Sequence, residues 1–323
     1  MMKHKHWLMI ALLAAACSDG GSSVLEEASS RPLMQDEELG PNGRPLGVED
    51  CYTALSVDHP ATRAFWAAFR SGDYAQRDSV VEQLTAAAAD HPQEEEFAFL
   101  LAHASLWRVA EGQGLQDLLL LLDSVETAER EFARAYALCP SDHRITAWLG
   151  PVKIKLGDLL GDSQRVEDGK RLLDEGAARY PAMVKFSNVL TYSYATPNDP
   201  ELKILQETAH YYAALAEPNA DNACFRGRAV ACINTPTTPR NIEGTALYVG
   251  DLFVKLQDRE NALKAYKLGE HAAAPSSWSF RPLLEERIKN VDANLAAAKS
   301  DIELDDPAWA WSTNNQCSYC HRQ

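Results

Sequence analysis

Residues Leu118 to Pro140 read LLLLLDSVETAEREFARAYALCP, and the fold follows from this stretch. Leu121, Val125, Ala128, Phe132, Ala135 and Cys139 recur at intervals of three and four, which puts them on one face of a helix. The helix is expected to stop at Cys139-Pro140, because a proline ring disfavours helical geometry in the residue before it. The leucine run from Leu118 to Leu122 is too short to span a membrane and reads as part of a buried stripe. Counting back twelve, eight and five positions from Pro140 gives Ala128, Phe132 and Ala135: small, bulky, small. The same offsets from Pro181 give Gly169, Leu173 and Gly176, and from Pro92 they give Val80, Leu84 and Ala87. Between residues 51 and 298 no stretch alternates at period two, so the whole body is expected to be helical.

Small, bulky, small, proline resembles the second-helix signature of tetratricopeptide repeats, in which small residues let two helices approach and the bulky one fills the gap. Ala246, Val249, Gly250 and Phe253 resemble the first helix of that motif, with Ala262, Tyr266 and Gly269 following at the family spacing and Pro275 one place late. The resemblance covers residues 51–298 and implies an all-α, irregular tetratricopeptide-like array of helical hairpins. The prolines at 92, 140, 181, 218 and 275 are 48, 41, 37 and 57 residues apart, against a constant period of about 34 in the family, so insertions between helices are expected. One insertion, between Pro218 and Asn241, contains Cys224 and Cys232 among turn-forming residues. In an oxidising compartment these two are expected to bridge, the alternative being two free thiols. Cys51 and Cys139 can pair only if the array brings them together. A closing helix over Pro282 to Ala298, with Leu284, Ile288, Val291 and Leu295 on one face, is expected to cap the array.

Three further segments flank this body. Residues 1–16 combine a basic start at Lys3 and Lys5, a short apolar run and a small-residue end, the pattern of an export signal. Ala14-Ala15-Ala16-Cys17 resembles a bacterial lipobox, which implies lipidation at Cys17; an ordinary cut near Ala16 would leave Cys17 a spare thiol. Residues 17–50 are rich in Gly, Ser, Pro and acids and read as a flexible tether. Ser18 beside Cys17 does not suggest inner-membrane retention, so the expected place is the periplasmic side of a membrane, the outer one ahead of the inner. Residues 299–323 form a short carboxy-terminal tail. Over 323 residues, 46% apolar and 24% charged content describes a globular chain. Its 31 Lys plus Arg against 46 Asp plus Glu give −15, and loss of the two leader lysines makes this −17. Such acidity argues against nucleic acid and for a partner with a basic face.

The tail carries the chemistry. Cys317-Ser318-Tyr319-Cys320-His321 is a Cys-x-x-Cys-His pattern, the attachment motif of c-type haem. One turn of chain lets both thiols form thioethers with the vinyl groups, and the adjacent imidazole becomes an axial iron ligand. The expected cofactor is therefore a single covalent haem c on Cys317 and Cys320, with His321 on the metal. Export agrees with this, since bacterial haem attachment takes place outside the cytoplasm. The competing readings are a local Cys317–Cys320 disulfide with His321 in solvent, a zinc site lacking its second ligand pair, and a redox dithiol lacking its mixed sheet. Only Arg322 and Gln323 follow the motif, so the pocket has to come from earlier in the chain or from a partner. Trp309 and Trp311 either cover a haem face or dock the tail on the last repeat. Met183, His103, His143, His210 and His271 are available as a second axial ligand, with an open position as the alternative. His210, eight residues before Pro218, stands where the repeat expects a bulky core residue.

No Gly-rich phosphate loop, His-Glu-x-x-His helix or nucleophile elbow is present, and no enzymatic chemistry is expected. The expected function is electron transfer with a periplasmic or membrane protein docked on the repeat groove, with membrane attachment through the amino-terminal lipid. Without haem, the chain would be an interaction scaffold or would resemble the repeat-containing lipoproteins of solute uptake systems. No small-molecule substrate is indicated.

Overall fold

The computed structural model describes residues 51, 54–111, 118–196, 198–216, 234, 238–272, 278–299, 309–313 and 316–322. The leader, Cys17, the tether and the Cys224–Cys232 pair lie outside the described residues. Among the described residues every regular element is helical. A short α1 (Ala54–Asp58) leads into paired helices: α2 (Pro60–Ser71) with α3 (Arg77–Asp90), α4 (Glu95–Glu111) with α5 (Leu118–Leu138), and α6 (His143–Leu160) with α7 (Ser163–Arg179). Two more pairs follow, α8 (Pro181–Tyr192) with α9 (Leu202–Ala216) and α10 (Asn241–Lys255) with α11 (Arg259–Ala272). Then come α12 (Arg281–Lys289), α13 (Val291–Lys299) and, in the tail, the single turn α14 (Ser318–His321). No helix among the described residues is long and apolar enough to cross a membrane.

Local chemistry sets these boundaries. Pro60, Pro181 and Pro282 each sit in a first helical turn, where the missing N–H costs nothing. Asp142 and Asp162 cap α6 and α7 by accepting from the amides of Arg144 at 3.0 Å and Arg165 at 3.1 Å. The small, bulky, small residues of the four aligned second helices are all buried, with Leu84, Phe132 and Tyr266 at 0% exposure and Leu173 at 5%. Burial of a bulky Leu or Phe at the central position stabilises the fold by roughly 1.5–3 kcal/mol. The glycines mark the closest approach: a β-carbon on Gly150 of α6 would stand 2.9 Å from the carbonyl oxygen of Gly169 in α7.

Two cores result. Phe65, Leu84, Leu100, Trp107 and Phe132 centre the first, in the amino-terminal half. Tyr192, Leu205, Leu252, Tyr266, Trp278 and Leu284 centre the second. Helices α6 and α7 are shared: Ile145, Leu149 and Leu172 belong to the first core, and Ala147, Ile154 and Leu173 to the second.

Cys51 and Cys139 are bonded to each other, with α-carbons 5.6 Å apart and a sequence separation of 88, so the array does bring its start against the end of α5. The closing segment departs from the single expected helix. It breaks at Asn290 (φ −103°, ψ 15°) into α12 and α13, yet Leu284, Ile288, Val291 and Leu295 still all pack on the second core. His210 is exposed, contrary to its expected core position. The buried residues of α9 are Leu205, Thr208, Ala209, Tyr211, Tyr212 and Leu215, so α9 turns Ala209 and Tyr212 inward and His210 out.

Candidate functional site

The tail is built into the body. Trp309 and Trp311 are buried at 2% and 3% exposure and stack on each other, rings 5.3 Å apart and 9° from parallel, inside the second core. The amide of Ala310 donates to Asp251 at 2.8 Å. Asp251, fully buried on α10, also accepts from the Tyr266 hydroxyl at 2.6 Å and from Arg287 at 3.0 Å. Burial pushes the Asp251 carboxyl up, while Arg287, Tyr266 and the Ala310 amide pull it back. Further along, Tyr248 donates to the carbonyl of Gln316 at 3.2 Å, and the Trp278 indole to that of Tyr319 at 3.1 Å. The amide of Arg240 donates to the carbonyl of Cys320 at 2.9 Å. Of the two sequence readings for Trp309 and Trp311, the docking one describes where they sit.

This anchoring fixes the turn that holds the motif. The carbonyl of Cys317 accepts from the amides of Cys320 at 3.3 Å and His321 at 3.0 Å, so the three motif residues, spaced i, i+3 and i+4, share one face of a helical turn. Tyr319 points the other way, into the second core. Cys317 is half-buried and packs against the first core, and Cys320 is buried at 6% exposure; neither is in a disulfide. The Cys320 sulfur occupies the notch left by the missing side chain of Gly244 on α10, where a β-carbon would collide with it. Burial there, with Glu243 adding to it, pushes the Cys320 thiol up to about 12.

His321 faces the amino-terminal half. Its ring lies 4.7 Å from that of Phe69 and 6.3 Å from that of Trp66, both on α2. Phe69 meets Trp107 of α4 edge-on at 5.0 Å. One turn earlier on α4 is His103, packed at 4.3 Å on Phe99, at 5.0 Å on Phe132 and at 5.0 Å on Trp148. Burial pushes the His103 imidazole down to about 4, against the opposing effect of its hydrogen bond to the Phe99 carbonyl, with His321 adding a smaller lowering. Arg322 then lies across Gly72, at the end of α2.

Compared with known proteins, the chain matches no family model, no curated protein and no solved structure.

The residues present fit the attachment of a haem in two respects. Both thiols and the imidazole share one face of a turn, as thioether and axial bonds require. An aromatic wall from α2 and α4 stands beside that imidazole. Among the described residues no three His, Cys, Asp or Glu side chains converge to hold a bare metal ion. Of the other residues named from sequence, His143 is partly buried, and that burial pushes its imidazole down, with Glu175 opposing and Arg179 adding to the effect. His210 and His271 are exposed, and Met183 packs on the second core. Gly244 and the Asp251–Arg287 pair had no signal in the sequence, because a glycine in a helix and a lone acid become meaningful only when a distant segment packs on them.

Proposed function

We propose that the chain is an exported, lipid-anchored repeat protein that carries one covalent haem c on Cys317 and Cys320, with His321 on the iron, and passes electrons to a docked protein partner. The observation that carries this reading is the i, i+3, i+4 placement of Cys317, Cys320 and His321 on one anchored turn, with the His321 ring against an aromatic wall. Haem held there would supply one-electron chemistry, its iron cycling between two oxidation states. The chain's residues do the rest. His321 offers a ring nitrogen to the metal and is held against Phe69. Phe69, Trp66 and Trp107 keep water away, which favours the less charged, reduced state. The buried, neutral thiol of Cys320 is a poor nucleophile in the folded protein, so attachment belongs to the newly exported chain, before the tail docks. The net charge of −15 favours a redox partner with a basic face.

The test is the intact mass of the chain exported from a host with a haem maturation system. A mass raised by one haem, lost in Cys317→Ser with Cys320→Ser, is expected. A wild-type mass equal to that of the bare chain would sink the proposal and return the chain to a scaffold or solute-binding role.

A further inference from the structure

We propose that the carboxy-terminal turn is a strap that ties the first helical hairpin, α2 with α3, to the fifth, α10 with α11, so that its release lets the two ends of the array move apart. In a stacked array each hairpin meets only its neighbours, and the curvature is the sum of small rotations between them. Here the elements packed on α2 are α1, α3, α4, the short turn Tyr74–Gln76 and α14. Those packed on α10 are α8, α9, α11, α13, the turn Ala310–Ser312 and α14. Among the described residues α14 is the element common to both sets. The bridged hairpins belong to different cores, with α6 and α7 between them as the pair that both cores share. A bridge between them turns an open curve into a closed one.

The strap holds its two ends differently. On the fifth hairpin the grip is deep. Tyr319 lies in the second core, its ring 5.9 Å from that of Tyr248 and 4.7 Å from that of Phe280. The carbonyls of Gln316, Tyr319 and Cys320 accept from Tyr248, Trp278 and Arg240, and the Cys320 sulfur fills the Gly244 notch. Behind these contacts stand the buried Trp309 and Trp311 and the hydrogen bond from Ala310 to Asp251. On the first hairpin the grip is shallower and made by side chains. The His321 ring rests on Phe69 and Trp66, Cys317 packs against the first core, and the stem of Arg322 lies 3.3 Å from where a β-carbon on Gly72 would stand. A turn of four residues does not hold its own shape in water, so α14 keeps its form through these two grips. The strap therefore stays on α10 and lets go at α2, uncovering Phe69 and Trp66. This inference stands apart from the haem reading; where haem is carried it rides on the strap, and its attachment is coupled to the spacing of the array's ends.

The experiment uses the full chain without haem, with spin labels on noncanonical residues at two exposed positions, Glu82 of α3 and Lys267 of α11. Pulsed dipolar spectroscopy of the otherwise unaltered chain is expected to give one narrow distance distribution. A chain ending at Cys320 lacks His321 and Arg322 but keeps Tyr319 in its core, and is expected to give a longer, broader one. Gly244→Leu, which pushes the turn off α10 from the other side, is expected to do the same and carries the test if the shortened chain fails to fold. Variants that keep the narrow distribution overturn the proposal, as does an unaltered chain whose distribution is already as broad as theirs. The haem reading is untouched by either result, because the intact mass of the exported chain decides it separately.

Discussion

In the amino-terminal half, Cys51 is bonded to Cys139 across 88 residues, so the first two hairpins are closed by a covalent clamp. In the carboxy-terminal half no such clamp acts on the tail. Instead its own Trp309, Ala310, Trp311 and Tyr319 pack into the second core, and the tail is held by a buried acid, Asp251, whose oxygens accept from Tyr266, Arg287 and Ala310. The difference is one of mechanism. A disulfide stabilises chiefly by limiting the unfolded chain, and is indifferent to how well its surroundings are packed. A buried ion pair is worth little until it is cut, after which the remaining charge is stranded. The motif Cys317–His321 lies where the two halves meet, its tyrosine in one core and its histidine against the other.

The largest expected effect is therefore at the latch. Asp251→Ala leaves Arg287 buried without its partner and releases the Ala310 amide, and should cost about 3–5 kcal/mol in urea unfolding. A loss under about 1 kcal/mol would mean the latch does not hold the tail. Next comes the clamp: Cys51→Ser with Cys139→Ser should lower stability by about 2–4 kcal/mol, with the stacked Trp309 and Trp311 keeping their native fluorescence. If the tail signal is lost as well, the two closures are one cooperative unit. Gly244→Ala comes third, since its methyl group must displace the Cys320 sulfur, at about 1–3 kcal/mol; calorimetry of the haem-free chain measures this. The smallest perturbation is chemical. In the haem-free folded chain, half-buried Cys317 should be alkylated well before Cys320, whose thiol is pushed up to about 12. Equal rates, followed by mass spectrometry at mildly alkaline pH, would show that the Gly244 notch does not hold it.

Much of the array was legible because its signals are local. The stripe from Leu121 to Cys139, the proline stops and the small, bulky, small spacing all act within one or two helices, and each residue of that spacing is buried. Trp309, Trp311, Cys317, Cys320 and His321 could be named for the same reason. What could not be read was the docking of the tail, which joins positions such as 251 and 310, or 69 and 321, by contacts far apart in sequence. His210 shows the limit of pattern alone: it holds the spacing of a core residue, but α9 turns its neighbours Ala209 and Tyr212 inward instead. Likewise Asn290 divides a segment whose apolar spacing runs on without a break.

The most direct measurement is the reduced pyridine haemochrome spectrum of the exported chain after denaturation and acid-acetone extraction. The Cys317–His321 reading requires colour that stays with the polypeptide, with the blue-shifted band of a haem whose two vinyl groups have become thioethers. A colourless chain, or pigment that washes out as free haem, would contradict it.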